Sequence, residues 1–257
     1  MAVIKLVLGY DGTGFRGFAR QPGARTVQGV LEDALQRVLG EVPKLSVAGR
    51  TDAGVHAGGQ VVSFVAEHDP AGIQRSVNRM LAPEVVVREA KRAPVGFDAR
   101  HSATSREYGY RIRTGPWPDP FSARFEWHRP SDLALLPMRR AARQLEGEHD
   151  FASFCKSSKG STVRHLRRLS IRKDGEITEV RALADSFLHQ MVRSLVGTLV
   201  AVGEGRMAPE DMSGVISARS RSAAGPVAPP DGLTLLRVTY AAHSRDPGRS
   251  RVSGEPR

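Results

Sequence analysis

The chain has 257 residues, 40% of them apolar, enough for a real core in either one large domain or two small ones. Its formal charge is +11 and only six of its 38 basic residues are lysines, so nucleic acid is one reading of the partner, arginine being suited to paired bonds with phosphate and to stacking on bases. A single cysteine, Cys155, excludes an intramolecular disulfide and a zinc site built on several thiolates, and no run approaches the ~18 apolar residues that span a bilayer.

Met1 to Leu8 is a short apolar run broken by Lys5, with no small-residue cleavage site. It reads as a first strand and not as a signal peptide, so the chain is expected to be soluble and cytoplasmic. The strand covers Val3–Tyr10 and stops at the turn Asp11-Gly12. A loop rich in Gly, Arg and Pro follows, to about Arg25. Thr26 is placed to cap a helix whose residues Val27, Val30, Leu31, Ala34, Leu35, Val38 and Leu39 keep helical spacing, with Gly40 to end it. Next come a strand at Lys44–Ala48, a glycine-rich loop from Gly49 to Gly59 and a strand at Gln60–Ala66. A helix opened by Pro70 and ended by Pro83, then a strand at Glu84–Ala90, complete the order βαββαβ, the ferredoxin-like arrangement.

The second half repeats that order with longer insertions. Glu107–Arg113 alternates like a strand, and Ser131 or Asp132 can cap a helix through Gln144. Val163–Arg172 and Glu176–Ala182 flank the hairpin turn Asp174-Gly175. Phe187–Val202 reads as a helix, followed by a short helix after Pro209 and a strand at Leu233–Tyr240. The expected fold class is α+β, with two ferredoxin-like βαββαβ-type domains at 1–100 and 101–241, joined near 98–105. The remaining 242–257 holds four arginines, two prolines and no apolar period, and reads as a disordered basic tail.

Gly12-Thr13-Gly14-Phe15-Arg16-Gly17 matches G-x-G-x-x-G after a strand, but Gln21-Pro22-Gly23 separates it from the helix that would hold a pyrophosphate. Asp11 would also stand beside the phosphates, so no nucleotide cofactor is expected. The segment reads instead as a flexible loop over a cleft, with Arg16 and Arg20 as candidate RNA contacts. The loop from Gly49 to Gly59 differs in kind, since four glycines in eleven residues fold the backbone tightly around Arg50, Asp52 and His56. A bare Asp-Ala-Gly turn would only bond its own backbone; the whole string is more informative. His56 reads as a structural hydrogen-bonder and Cys155 as a packed residue, and no H-E-x-x-H or second histidine at ligand spacing points to a metal. Arg193 interrupts an apolar helix on the flank of Leu188, Val192, Leu195 and Leu199, a position that suits a solvated arginine and a charge partner equally well.

The string Gly49-Arg50-Thr51-Asp52-Ala53-Gly54-Val55-His56-Ala57 resembles the active-site signature of the tRNA pseudouridine synthase A family. Tyr10-Asp11-Gly12-Thr13, Thr26-Val27-Gln28, Phe97-Asp98-Ala99-Arg100 and Tyr108-Gly109-Tyr110 resemble further family blocks, in order. So do Asp150-Phe151-Ala152-Ser153-Phe154, Met191-Val192-Arg193 and Ala228-Pro229-Pro230-Asp231-Gly232-Leu233, and together they cover roughly residues 3 to 240. Two departures stand out: Phe18-Ala19-Arg20-Gln21 replaces the usual Trp-Gln-Arg-Gln, and Glu107 precedes Tyr108, with the basic residue before it kept as Arg106.

The resemblance implies two ferredoxin-like domains with sheets packed around a basic central cleft, and a homodimer. It implies isomerisation of uridine to pseudouridine at positions 38, 39 and 40 of the tRNA anticodon stem-loop, with neither cofactor nor metal. Asp52 is the implied catalytic carboxylate, acting as a nucleophile or as a base at the sugar. Tyr108 would stack on a uracil extruded from its helix and help later at C5, while Arg50 would brace the space the base vacates. Asp52 must stay ionised in a cleft emptied of water, where desolvation opposes its charge, and the implied counter-charge is Arg193. Two rivals fit less well. An RRM would show paired aromatics on its central strands, against an aromatic content of 6%, and a nicotinamide-dependent oxidoreductase would rest only on Gly12–Gly17.

Overall fold

Side chains alternate across a strand, and in β1 (Ala2–Tyr10) this buries Ile4, Leu6 and Leu8 completely on one face. The computed structural model describes residues 2–158 and 160–241, so the expected tail at 242–257 lies outside the described residues. α1 (Val27–Leu39) starts where Thr26 Oγ1 accepts the Gly29 N–H at 3.2 Å, and buries Val27, Leu31, Ala34 and Leu35 before stopping at Gly40. β2 (Ser46–Val47) is shorter than the expected Lys44–Ala48; at its end the Ala48 N–H still donates to Val61 O at 2.9 Å, while the Ala48 carbonyl accepts from the Arg106 guanidinium. β3 (His56–Ala66) begins inside the expected loop: Ala57 pairs with Tyr10 of β1, so Gly58 and Gly59 are strand residues. α2 (Pro70–Leu81), capped by Asp69, and β4 (Val85–Ala93) follow.

The second half comprises β5 (Ala103–Thr114), β6 (Trp127–Arg129), α3 (Leu135–Leu145), β7 (Gly147–Asp150), β8 (Val163–Asp174), β9 (Ile177–Ala184), α4 (Met191–Gly203), α5 (Met212–Ala218) and β10 (Leu233–Tyr240). β6 and β7 are too short for a period-2 pattern to announce them. Neither Ser131 nor Asp132 caps α3: the Asp132 carboxylate accepts from Lys173 Nζ at 2.8 Å, and α3 begins after Ala134, whose N–H donates to Gly203 O. The helix expected from Phe187 starts only at Met191, because Gln190 adopts a left-handed φ of 61° that no helix can contain. Leu188 is still buried, but off the helix. Every residue of α4 except Arg193 is buried, so the helix has no solvent face on which that arginine could sit.

All ten strands form one mixed sheet, in the order β4-β1-β3-β10-β5-β9-β8-β7, with β2 added to β3 and β6 to β5. α2 packs on α1 and β4, and α3 on α4 and β8. The order in the first half, β4-β1-β3-β2, recurs in the second as β10-β5-β9-β8. The halves join where β10 runs parallel to the start of β3, through the pairs Thr234–His56 and Leu235–Ala57. Among the described residues no helix is long and apolar enough to cross a membrane.

That junction demands a residue without a side chain. A Cβ on Gly59 would lie 2.4 Å from the Leu236 carbonyl oxygen, whereas one on Gly58 would meet nothing within 4 Å. Gly59→Ala is expected to lower unfolding stability by about 1–3 kcal/mol, as overpacking does, with Gly58→Ala close to wild type. Chemical denaturation of the two variants side by side checks this, and equal midpoints would contradict it.

Candidate active site

The segment between β2 and β3 carries Asp52 and is held from three sides. Tyr10 Oη and Thr51 Oγ1 lie 2.8 Å apart, and Gln60 Nε2 donates to Gly49 O at 2.5 Å. Burial pushes the Tyr10 phenol up to about 12, against the pull of its bonds with Thr51 and Gln60, so it serves as a neutral brace. From below, Phe18 N–H donates to Thr51 O at 3.0 Å and Gly54 N–H to Phe15 O at 3.3 Å. A Cβ on Gly12 would fall 2.1 Å from Val55 O. The glycine-rich segment expected to be a flexible loop is therefore a packed support, with Phe15 and Phe18 buried and Gly12 and Gly17 needed for close approach. His56 closes the segment as a structural residue. Its Nδ1 lies 3.0 Å from the Gly12 nitrogen and 3.2 Å from Asp11 Oδ1, and its Nε2 faces Arg124 O at 3.0 Å and Asp231 O at 3.1 Å.

The Asp52 carboxylate opens on a cleft of about 1320 Å³ whose walls carry eight Arg and Lys side chains against two carboxylates, Asp52 and Asp98. Arg193 Nη1 donates to Asp52 Oδ2 at 3.3 Å. The same guanidinium is anchored behind, with Nε donating to Ala228 O at 2.7 Å while the Ala228 N–H donates to Arg193 O at 3.1 Å. On the other side of the carboxylate, His189 Nε2 stands 3.6 Å from Oδ1, and its Nδ1 is 3.1 Å from Ser157 Oγ. Tyr108 lies in the cleft wall, its ring set edge-on to Phe187 at 5.2 Å and 89°. Burial, then the proximity of Tyr10 and Asp52, drive the Tyr108 phenol well above its ordinary value, so it stays protonated. The neighbour Glu107 points to the opposite face of β5, where Arg237 Nη2 donates to it at 2.9 Å.

Arg50 and Arg16 line the cleft, exposed, and neither side chain has a partner among the described residues. Arg20 does not line it: its Nη1 donates to Glu32 at 2.9 Å and Asp33 at 3.2 Å on the α1 side. Arg106 is buried and spends its guanidinium on carbonyls, reaching Ala48 O at 2.8 Å, Arg100 O at 2.9 Å and Asp185 O at 2.7 Å. It thereby ties the Asp52 segment to the turn that leads into α4. Among the described residues, no group of three His, Cys, Asp or Glu side chains is placed to hold a metal ion.

Residues 7–102 and 141–241 match the model of a family described as tRNA pseudouridine synthase. The chain is 42% identical to the tRNA pseudouridine synthase A of Geobacillus kaustophilus, over 92% of this chain and 94% of that one. It is 46% identical to the tRNA pseudouridine synthase A of Frankia casuarinae, over 97% and 93% respectively. Against the crystal structure of the archaeal box H/ACA sRNP Nop10-Cbf5 complex, the identity is 14% and the TM-score 0.38, over 77% of this chain and 43% of that one. So slight a structural likeness adds nothing to the argument.

Asp52, Arg193, Tyr108, Arg50 and Arg16 thus share one cleft, while Arg20 stands apart. Phe187 and His189 escaped the sequence reading, since both fell in a stretch taken as helix. Arg193→Met should cost about 1–3 kcal/mol of stability by leaving the Ala228 carbonyl without its donor. Arg193→Lys keeps the charge but offers no fork to reach Asp52 and Ala228 together, and should fall between Met and wild type. Thermal unfolding of the three proteins tests that order, and a Met variant as stable as wild type would contradict it.

Proposed function

This chain belongs to the tRNA pseudouridine synthase family and isomerises uridine in tRNA, and from that premise we propose that Asp52 is the carboxylate that starts the reaction. The observation that carries the proposal is the Asp52–Arg193 pair, 3.3 Å apart, opening on a cleft lined by cations. In the isomerisation the bond from N1 of uracil to the ribose breaks and a bond from C5 forms. A proton leaves C5 and one arrives at N1. Atoms and electrons balance, so the reaction needs neither an oxidant nor an energy donor, and no cofactor is proposed.

Asp52 acts either as the nucleophile or as a base at the sugar, and its surroundings serve both roles. When the base enters and displaces water, desolvation favours the neutral acid, and the anchored Arg193 opposes that. Tyr108, its plane set by Phe187, offers a face on which the extruded uracil stacks, and it would help remove the C5 proton only by first giving up its own. Arg50, adjacent and unpartnered, fills the space the base leaves. Arg16 meets phosphate, and Arg20 would do so only by exchanging Glu32 and Asp33 for RNA.

The substrate uridines proposed are those at positions 38, 39 and 40 of the anticodon stem-loop. The enzyme is proposed to be a cytoplasmic homodimer whose subunits comprise two ferredoxin-like domains, 1–100 and 101–241, around the cleft. The strand order shared by the two halves supports the domain reading.

Asp52→Asn keeps the shape of the side chain and removes its charge. Single-turnover pseudouridine formation with saturating enzyme should fall by at least ~10²-fold, the usual scale for an acid–base group, while the tRNA binding isotherm stays at or slightly above wild-type affinity. Substantial product from the folded variant would overturn the assignment. Loss of binding together with activity would make Asp52 a residue that shapes its loop. The basic cleft adds a second expectation: log affinity for tRNA should fall linearly with log salt, by about 0.7–0.9 for each phosphate contact. A nearly flat plot over several salt concentrations would rule out the cleft as the RNA site.

A further inference from the structure

We propose that His189 is a positioning residue that faces the reacting oxygen of Asp52, and that a proton on its imidazole slows the chemical step. The proposal rests on Asp52 being the catalytic carboxylate. The two carboxylate oxygens have different surroundings. Oδ2 receives Arg193 at 3.3 Å, and that guanidinium is anchored on Ala228. Oδ1 has no hydrogen-bond donor among the described residues, and His189 Nε2 stands 3.6 Å from it, too long for a hydrogen bond. Oδ1 is therefore the oxygen free to meet a sugar carbon or its proton, and His189 stands beside it.

The imidazole is held there. Its Nδ1 engages Ser157 Oγ at 3.1 Å, and the His189 carbonyl accepts the Lys156 N–H at 3.1 Å. The next residue, Gln190, adopts the left-handed φ of 61°, a conformation that costs a residue with a Cβ free energy. This turn takes His189 out of the axis of α4 and turns it toward Asp52. The cleft that His189 lines carries the carboxylates Asp52 and Asp98, the phenol of Tyr108, His101 and the cations Arg16, Lys44, Arg50, Arg100, Arg106, Lys156, Arg164 and Arg193. Asp52 is the carboxylate within 4 Å of the imidazole, so it is the anion that an imidazolium would serve.

An imidazolium beside Oδ1 would draw the carboxylate's charge away from the substrate and lower both its nucleophilicity and its basicity. A neutral imidazole leaves that oxygen free. A substitution series separates charge from shape: His189→Gln imitates the neutral ring at every pH, and His189→Arg imitates the protonated one. His189 is exposed, so neither change should disturb the core.

The experiment is single-turnover pseudouridine formation on a tRNA transcript, with saturating enzyme, from about pH 5.5 to pH 8.5. The wild-type rate should fall from its plateau toward the acid end. His189→Gln should be nearly level over the same interval and faster than wild type at the acid end. His189→Arg should be slow throughout, near the wild-type acid-end rate. A merely structural role would not make Gln and Arg move the rate in opposite directions. If His189→Gln keeps the wild-type fall in rate, or His189→Arg matches the wild-type plateau, the proposal is overturned. Asp52→Asn, assayed in parallel, separates the two readings. Product from that variant would bring down the catalytic assignment itself, whereas an inactive Asp52→Asn with superimposable wild-type and His189→Gln profiles would bring down only the role of His189.

Discussion

A carboxylate in the wall of a cleft is paired with a cation that is itself anchored from behind, and that cation comes from the other half of the chain. Asp52 and Arg193 are 141 residues apart and meet at 3.3 Å. Arg193 is immobilised because α4 is buried on every side and because the Ala228 backbone grips the guanidinium and is gripped in return. The meeting depends on the short parallel contact of β10 with β3, which brings the second half against the segment that bears Asp52. A glycine at position 59 makes that contact possible, so a packing requirement far from the carboxylate governs its electrostatics.

The opposite side of the Asp52 segment shows how a nucleotide-like motif can have a different cause. G-x-G-x-x-G at 12–17 has the composition of a phosphate-binding turn. In the fold, Gly12 lies against Val55 O and donates its N–H to His56 Nδ1, the Thr13, Phe15 and Arg16 N–H groups bond Asp11 Oδ1, Gly12 O and Arg25 O, and Phe15 and Phe18 are buried, so these donors are spent within the fold. His56 completes the arrangement with both ring nitrogens facing backbone partners. The segment is thus rigid from Gly49 to His56, which suits a carboxylate whose orientation matters more than its reach.

Where local physics suffices, the sequence was legible. β1, α1, α2, the β8–β9 hairpin and β10 lie where alternation, helical spacing, Thr26, Pro70 and Asp174-Gly175 place them. It failed where a distant group takes a local one. Asp132 would have capped α3 but is claimed by Lys173, and β3 starts early because β1 and β10 recruit His56 and Ala57. In each case the competing partner lies tens of residues away, beyond the window of any periodic pattern.

The same division runs through the site. By itself the amino-acid sequence determined the α+β order of elements, the basic character of the surface, the family, and Asp52, Arg193, Tyr108, Arg50 and Arg16 as the residues to watch. Only the tertiary structure decided that these five share a cleft and Arg20 does not, because Arg20 finds Glu32 and Asp33 on its own side of the protein. It also decided the place of His189, since apolar spacing favours a helix through 187–190 and cannot register a single left-handed residue. That one backbone torsion at Gln190 moves a side chain from a helix face to the edge of a carboxylate, and torsions of that kind are set by what the whole chain packs around them.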